Sequence, residues 1–109
     1  MRELLLHMLD ETTYLLVACR DVNLVGFLAD PTLQRAVVRS LEIIGEASKS
    51  LPTHLTVAYP QVEWRLMAGM RDRLIHHYFG VDYEIVWDVV IHKIPDLDRL
   101  LRRMLSELA

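Results

Sequence analysis

One arginine stands at an apolar position of a predicted helix. When residues 61–80 are projected at about 100° per residue, their apolar side chains form one stripe with Arg71 in its middle. The stripe consists of Trp64, Met67, Ala68, Leu74, Ile75 and Tyr78. A guanidinium is costly among apolar side chains unless an anion pairs with it. Two interpretations follow: a structural ion pair with Glu42 or Glu46 of the preceding helix, or a cleft in which Arg71 holds a phosphate.

A histidine follows in the same helix. His76 comes five residues after Arg71, so on an ideal helix it points about 140° away. The two side chains share a site only if the helix end is distorted or a second subunit completes the site. Asp72 precedes His76 by four residues and is placed to orient its ring. The alternative is that His76 is a surface or interface histidine, and the adjacent His77 faces elsewhere.

The remaining polar residues do not form another catalytic pattern. Adjacent histidines on a helix do not chelate one metal, and the sequence contains no HxxxH, Gly-rich phosphate loop or GxSxG motif. His7, His54 and His92 have no ligand-like partners in the sequence, so we expect no metal and no cofactor. Cys19 lies on an apolar stripe and is expected in the core. Glu42 and Glu46 belong either to a solvated charged face or to a cleft beside the helix of Arg71.

Helical periodicity and punctuation by proline and glycine predict the elements that position these residues. Helix one runs from Arg2 to Asp21, and residues 23–29 form a connector. Helix two begins at Pro31 with Asp30 as its cap and ends near Ser50. Residues 52–59 form a connector with room for one short helical turn. Helix three is predicted from Pro60 to Tyr78 or Phe79, and helix four from Tyr83, capped by Asp82, toward His92. At Pro95 the helix kinks or restarts. The pattern predicts an all-α, antiparallel up-down four-helix bundle with a kinked or split C-terminal helix, forming a single domain over residues 1–109.

Composition limits the function classes. The 109 residues carry 12 Lys and Arg against 15 Asp and Glu, giving a net charge of −3 that argues against a generic nucleic-acid coat protein. The hydrophobic share of 52% is high for a small chain and favours an oligomer interface. A single cysteine fits a reducing compartment, and the sequence suggests neither a signal peptide nor a membrane span. We therefore expect a soluble cytoplasmic protein.

The helix of Arg71 resembles the HepT family of the HEPN superfamily. The family motif is Arg, four to six residues, His, any residue, Tyr, and here the segment reads Arg71-Asp-Arg-Leu-Ile-His76-His77-Tyr78. RSLEIIGEASKSLP, from Arg39 to Pro52, is similar to the family's second-helix segment. AGMRDRLIHHYFGVDYEIVW, from Ala68 to Trp87, is similar to its motif region, and the resemblance extends from Leu28 to the end of the chain.

The resemblance implies a HEPN fold, a homodimer and a metal-independent ribonuclease that is the toxin of a toxin–antitoxin pair. It implies that Arg71 holds the scissile phosphate and His76 transfers a proton. It also implies an antitoxin partner, an MntA-like minimal nucleotidyltransferase, that attaches AMP to Tyr78. The residues that could line the cleft are Glu42, Glu46, Asp72, Arg73 and His77. The alternative function is a non-catalytic helical subunit that binds a nucleotide or a partner nucleotidyltransferase.

Overall fold

The computed structural model describes residues 1–75 and 80–108, without the side chains of Arg71, Leu74 and Ile75. Over these residues the chain is helical and contains no strand. The helices are α1 (Arg2–Ala18), α2 (Leu24–Leu28), α3 (Pro31–Lys49), α4 (Thr53–Ala58), α5 (Trp64–Ala68), α6 (Met70–Ile75), α7 (Tyr83–His92) and α8 (Ile94–Glu107). The all-α class predicted from the sequence is confirmed. None of the described helices combines the length and hydropathy that a membrane span needs.

Two predicted helix starts are confirmed by their caps. The Asp30 carboxylate accepts a hydrogen bond from the Leu33 backbone N–H at 3.0 Å, and Pro31 opens α3. The Asp82 carboxylate accepts from the Glu84 N–H at 3.1 Å and starts α7. The predicted restart near Pro95 is also confirmed, because α7 ends at His92 and α8 begins at Ile94.

The predicted connector over residues 23–29 is wrong in part, since it contains the short helix α2. The Asn23 side chain caps this helix by accepting from the Gly26 N–H at 2.8 Å. Phe27 is fully buried, and its ring centroid lies 5.0 Å from that of Trp87 and 6.2 Å from that of Tyr83. The helix therefore depends on aromatic packing against α7, which lies far away in the sequence.

The helix predicted from Pro60 begins only at Trp64 and is divided at Gly69 into α5 and α6. The Trp64 indole N–H donates to the Tyr59 carbonyl at 2.9 Å, which holds the preceding residues in a turn. The connector that precedes this helix contains one short helix, α4, as the sequence allowed. Helix α1 ends at Ala18, three residues before the predicted end at Asp21.

The core lies where α1 packs against both α3 and α8. On its other side α3 contacts α5 and α6, and α7 contacts α2 and α8. The largest fully buried side chains come from most of these helices: Leu5, Met8, Leu15, Phe27, Leu41, Ile44, Met70, Ile94, Leu101 and Met104. This arrangement makes α3 the support for the helix that carries Arg71.

Candidate active site

The backbone of α6 carries three of the predicted site residues, Arg71, Asp72 and Arg73. The side chains of Asp72 and Arg73 are exposed to solvent. His76, His77 and Tyr78 lie outside the described residues, and so does the side chain of Arg71. The meeting of Arg71 with His76, and the pairing of Asp72 with His76, therefore stay predictions.

The α5–α6 run is held against α3 by a close backbone approach at Gly45. A Cβ atom built on Gly45 would lie 2.9 Å from the Met67 carbonyl oxygen, closer than real Cβ contacts. Met67 and Met70 are both buried on either side of this approach. Sequence reasoning missed Gly45 as a positioning residue, although a glycine inside a helix costs about 1 kcal/mol against alanine and so indicates a packing reason.

Two carboxylates flank Gly45 on α3. Glu42 is half-buried, and its carboxylate lies 3.8 Å from the Arg39 guanidinium. Glu46 is exposed, and its carboxylate lies 3.7 Å from the Lys49 ammonium. Both glutamates belong to the helix that α6 packs against. Whether they line a cleft or pair with Arg71 stays a prediction.

The far end of the motif segment is set by Gly80, whose φ of +100° lies in the left-handed region that favours glycine. Two residues later Asp82 caps α7. Arg71 thus begins the motif on α6, a helix that packs against α3, and the described chain resumes at Gly80, just before the cap of α7.

Other nucleophile and metal candidates are constrained by their surroundings. Cys19 is buried as predicted, and burial raises the pKa of its thiol, which disfavours a reactive thiolate. His92 lies beside one carboxylate: its Nε2 is 3.5 Å from that of Asp88, one helical turn away, and both side chains are exposed. Within residues 1–75 and 80–108, no cluster of three or more histidine, cysteine or acidic side chains is placed to hold a metal ion.

Comparison with known proteins decides the family. The family model described as "Ribonuclease HepT-like" matches residues 7–104, which include the whole motif segment. The chain belongs to the HepT-like family. The resemblance stated from the sequence is therefore confirmed.

Relatives of this HepT-like chain carry ribonuclease names. A candidate RNase of Caldanaerobacter subterraneus is 43% identical over 106 residues, covering 97% of this chain and 95% of the relative. A candidate RNase of Methanocaldococcus jannaschii is 57% identical over 76 residues, covering 70% of this chain and 63% of the relative. A candidate HepT ribonuclease of Thermococcus cleftensis is 50% identical over 78 residues, covering 72% of this chain and 71% of the relative. No solved structure matches the chain significantly.

Proposed function

We propose that this HepT-like protein is a metal-independent endoribonuclease that acts in the cytoplasm as the toxin of a toxin–antitoxin pair. The observation that carries the proposal is the family match over residues 7–104, which spans a complete Arg, His and Tyr motif. Ribonuclease names among its relatives support the same reaction class.

The motif supplies the two groups that metal-free RNA cleavage requires. A ribose 2′-hydroxyl must lose its proton as its oxygen attacks the phosphorus, and charge on the phosphate must be stabilised. In the proposal His76 takes that proton, and the Arg71 guanidinium holds two phosphate oxygens through its planar fork. As the 2′-oxygen bonds to phosphorus, the bond from phosphorus to the 5′-oxygen breaks, and solvent supplies the proton that this leaving oxygen takes up. The products are a 2′,3′-cyclic phosphate and a free 5′-hydroxyl. Exposed Arg73, beside Arg71 on α6, adds positive charge near the strand, although the whole chain is acidic.

A second subunit completes the proposed site. Arg71 and His76 point in directions about 140° apart on an ideal helix, so one straight helix does not aim both at one phosphate. A homodimer with the motif helices facing each other across a cleft removes this difficulty. The hydrophobic share of 52% in a chain of 109 residues supports an interface, since a domain of this size has little interior in which to bury it.

The proposed antitoxin is a minimal nucleotidyltransferase of the MntA type that transfers AMP to the Tyr78 hydroxyl. Tyr78 follows Arg71 by seven residues, which is about two helical turns on the same face of an ideal helix. A phosphate attached there would compete with RNA for the guanidinium, and the adenosine would fill space that the strand needs.

Cleavage of RNA by the purified protein tests the proposal. Wild-type protein should cleave single-stranded RNA in the presence of EDTA, because the proposed chemistry uses no metal. His76→Ala should lower the rate about 100-fold to 10,000-fold, as expected for loss of a group that transfers a proton. His7→Ala, a change at an exposed histidine on α1, should leave the rate unchanged.

Three outcomes would contradict the proposal. Activity lost in EDTA and restored by a divalent ion would show metal-dependent chemistry. Full activity of His76→Ala would remove the proposed proton transfer. Absence of cleavage, together with stable binding to the nucleotidyltransferase, would favour the non-catalytic subunit instead.

A further inference from the structure

A cavity of about 400 Å³ lies beside the α5–α6 run, at the junction between α7 and α8. Its inner wall is apolar and consists of buried Met67 and Leu97 with half-buried Val62 and Leu100. The volume is within the range of small-molecule sites, about 300–1,000 Å³. An apolar wall of this size accommodates a flat ring system such as a nucleobase.

The outer edge of the cavity is rich in cations. Lys93, Arg99 and Arg103 all line it, and the two arginines follow each other by one turn of α8. The carboxylates that line the same cavity are Glu63 and Asp96. The cavity lining thus carries three cations against two carboxylates, and Glu107, which is not part of the lining, pairs with the third cation.

The cations are held by exposed ion pairs that a phosphate can replace. The Lys93 ammonium lies 2.5 Å from the Glu63 carboxylate, Arg99 pairs with Asp96, and the Arg103 guanidinium lies 3.4 Å from the Glu107 carboxylate. Each of these side chains is at least 39% exposed. Exposed pairs of this kind are worth about 0–1 kcal/mol, so exchanging one carboxylate for a phosphate costs little.

We propose that this cavity binds a nucleotide of the RNA strand beside the cleavage point, with the base against the apolar wall and a phosphate between Arg99 and Arg103. The inference rests on the proposed ribonuclease function. Bases that leave the stack are held by apolar contacts and by arginine planes, and phosphates by arginine forks.

The position of the cavity on the molecule favours RNA over an acidic peptide. Met67 forms part of the cavity wall, and Arg71 follows it by four residues, about 6 Å along a helix axis. Two backbone hydrogen bonds of helical spacing continue across the boundary between α5 and α6. The Gly69 N–H donates to the Arg65 carbonyl at 3.0 Å, and the Arg73 N–H donates to the Gly69 carbonyl at 3.0 Å. A strand held by Arg71 therefore passes close to the cavity.

The test is a double variant, Arg99→Gln with Arg103→Gln. A matched control, Arg20→Gln with Arg35→Gln, removes the same charge from two exposed arginines outside the cavity. KM and kcat are measured in parallel on single-stranded RNA of about ten nucleotides and on a dinucleotide, whose only phosphate is the scissile one and which therefore offers no phosphate to Arg99 and Arg103. Circular dichroism verifies that both proteins fold.

We expect the cavity variant to raise KM for the longer RNA about tenfold, because charge-assisted hydrogen bonds to phosphate are removed, with kcat unchanged. Cleavage of the dinucleotide should be unaffected, and the control variant should behave as wild type on both substrates. The KM effect should weaken as salt is raised, because salt screens the attraction between the two arginines and the RNA phosphates.

Failure of the inference and failure of the proposed function give different results. If wild type cleaves RNA and the two double variants have equal KM, the cavity inference is wrong and the ribonuclease stands. If wild type does not cleave, fluorescence anisotropy with the same RNA decides: weaker binding in the cavity variant alone supports the inference, and equal binding overturns it. Unchanged KM together with abolished binding to the nucleotidyltransferase would make the cavity a protein-docking surface and also overturn the inference.

Discussion

At the scale of single residues, Asp98 carries a buried charge that joins the first and last helices. Its Oδ1 accepts from the Thr12 hydroxyl at 2.7 Å, and its Oδ2 accepts from the Arg102 Nε at 3.0 Å. Arg102 also donates to the Thr13 hydroxyl at 3.2 Å. Thr12 is fully buried, so its hydroxyl depends on partners within the protein. The network therefore fixes how α1 and α8 align.

Asp98→Ala should destabilise the protein by about 1–3 kcal/mol, because it removes a buried acceptor of the Thr12 hydroxyl and the partner of Arg102. The Leu9 carbonyl, 3.1 Å from the same hydroxyl, remains as an acceptor, and Arg102 is exposed to solvent. Asp96→Ala is the matched control on the same helix, since Asp96 is exposed and its pair with Arg99 lies on the surface. The control should cost less than about 1 kcal/mol. Urea unfolding of the three proteins measures both effects. Equal losses of stability would show that the Asp98 network contributes no more than a surface pair.

At the scale of the elements, the approach of α3 to α5 sets the position of the motif helix. Gly45→Ala places a methyl group 2.9 Å from the Met67 carbonyl oxygen, so one helix must move. We expect a loss of about 1–3 kcal/mol, in spite of the higher helix propensity of alanine. Gly69→Ala is the control, because its Cβ would lie 3.3 Å from the Arg65 carbonyl oxygen with φ at −85°. In thermal unfolding the melting temperature of Gly45→Ala should be well below that of the control. A melting temperature above that of the wild type would contradict the close approach.

Capping residues and prolines predicted those helix ends that depend on residues within the same helix. The caps at Asp30 and Asp82 and the restart of the chain as α8 are of this kind. The helix at α2 was missed because it depends on packing against a distant segment. The late start at Trp64 was missed because a side-chain bond to a nearby carbonyl does not show in helical periodicity. The Trp64 indole bonds to Tyr59, and Phe27 packs on rings more than fifty residues away in the sequence.

The same distinction applies to the site. Arg71, His76 and Tyr78 are identified from order and spacing, which a sequence displays directly. The cavity had no such signal, because it is lined by residues 61–67 and residues 92–103, two separate segments that only folding brings together.

At the scale of the whole molecule, the proposed pair with a nucleotidyltransferase predicts one modified tyrosine. After co-expression with an MntA-like enzyme, mass spectrometry should find an adduct of AMP mass on the peptide containing Tyr78. Tyr78→Phe should stay folded and toxic and resist the partner, because the hydroxyl is the point of attachment. Tyr14→Phe, a change at an exposed tyrosine of α1, is the control and should still be silenced. An adduct on another tyrosine would refute the switch.

The proposed dimer predicts that two inactive variants restore each other. If one site takes Arg71 from one subunit and His76 from the other, a heterodimer of Arg71→Ala and His76→Ala subunits has one intact site. Refolding the two variants together at equal concentration should then recover about a quarter of wild-type RNase activity, since half of the dimers are mixed and each mixed dimer has one of two sites intact. Two differently tagged His76→Ala proteins, refolded together in the same way, are the control and should stay inactive. Light scattering on each sample reports the assembly. A folded monomer would contradict the dimer. An inactive mixture of true heterodimers would place Arg71 and His76 of one site in the same subunit. With a spacing of five residues, a site within one subunit requires a distorted helix end.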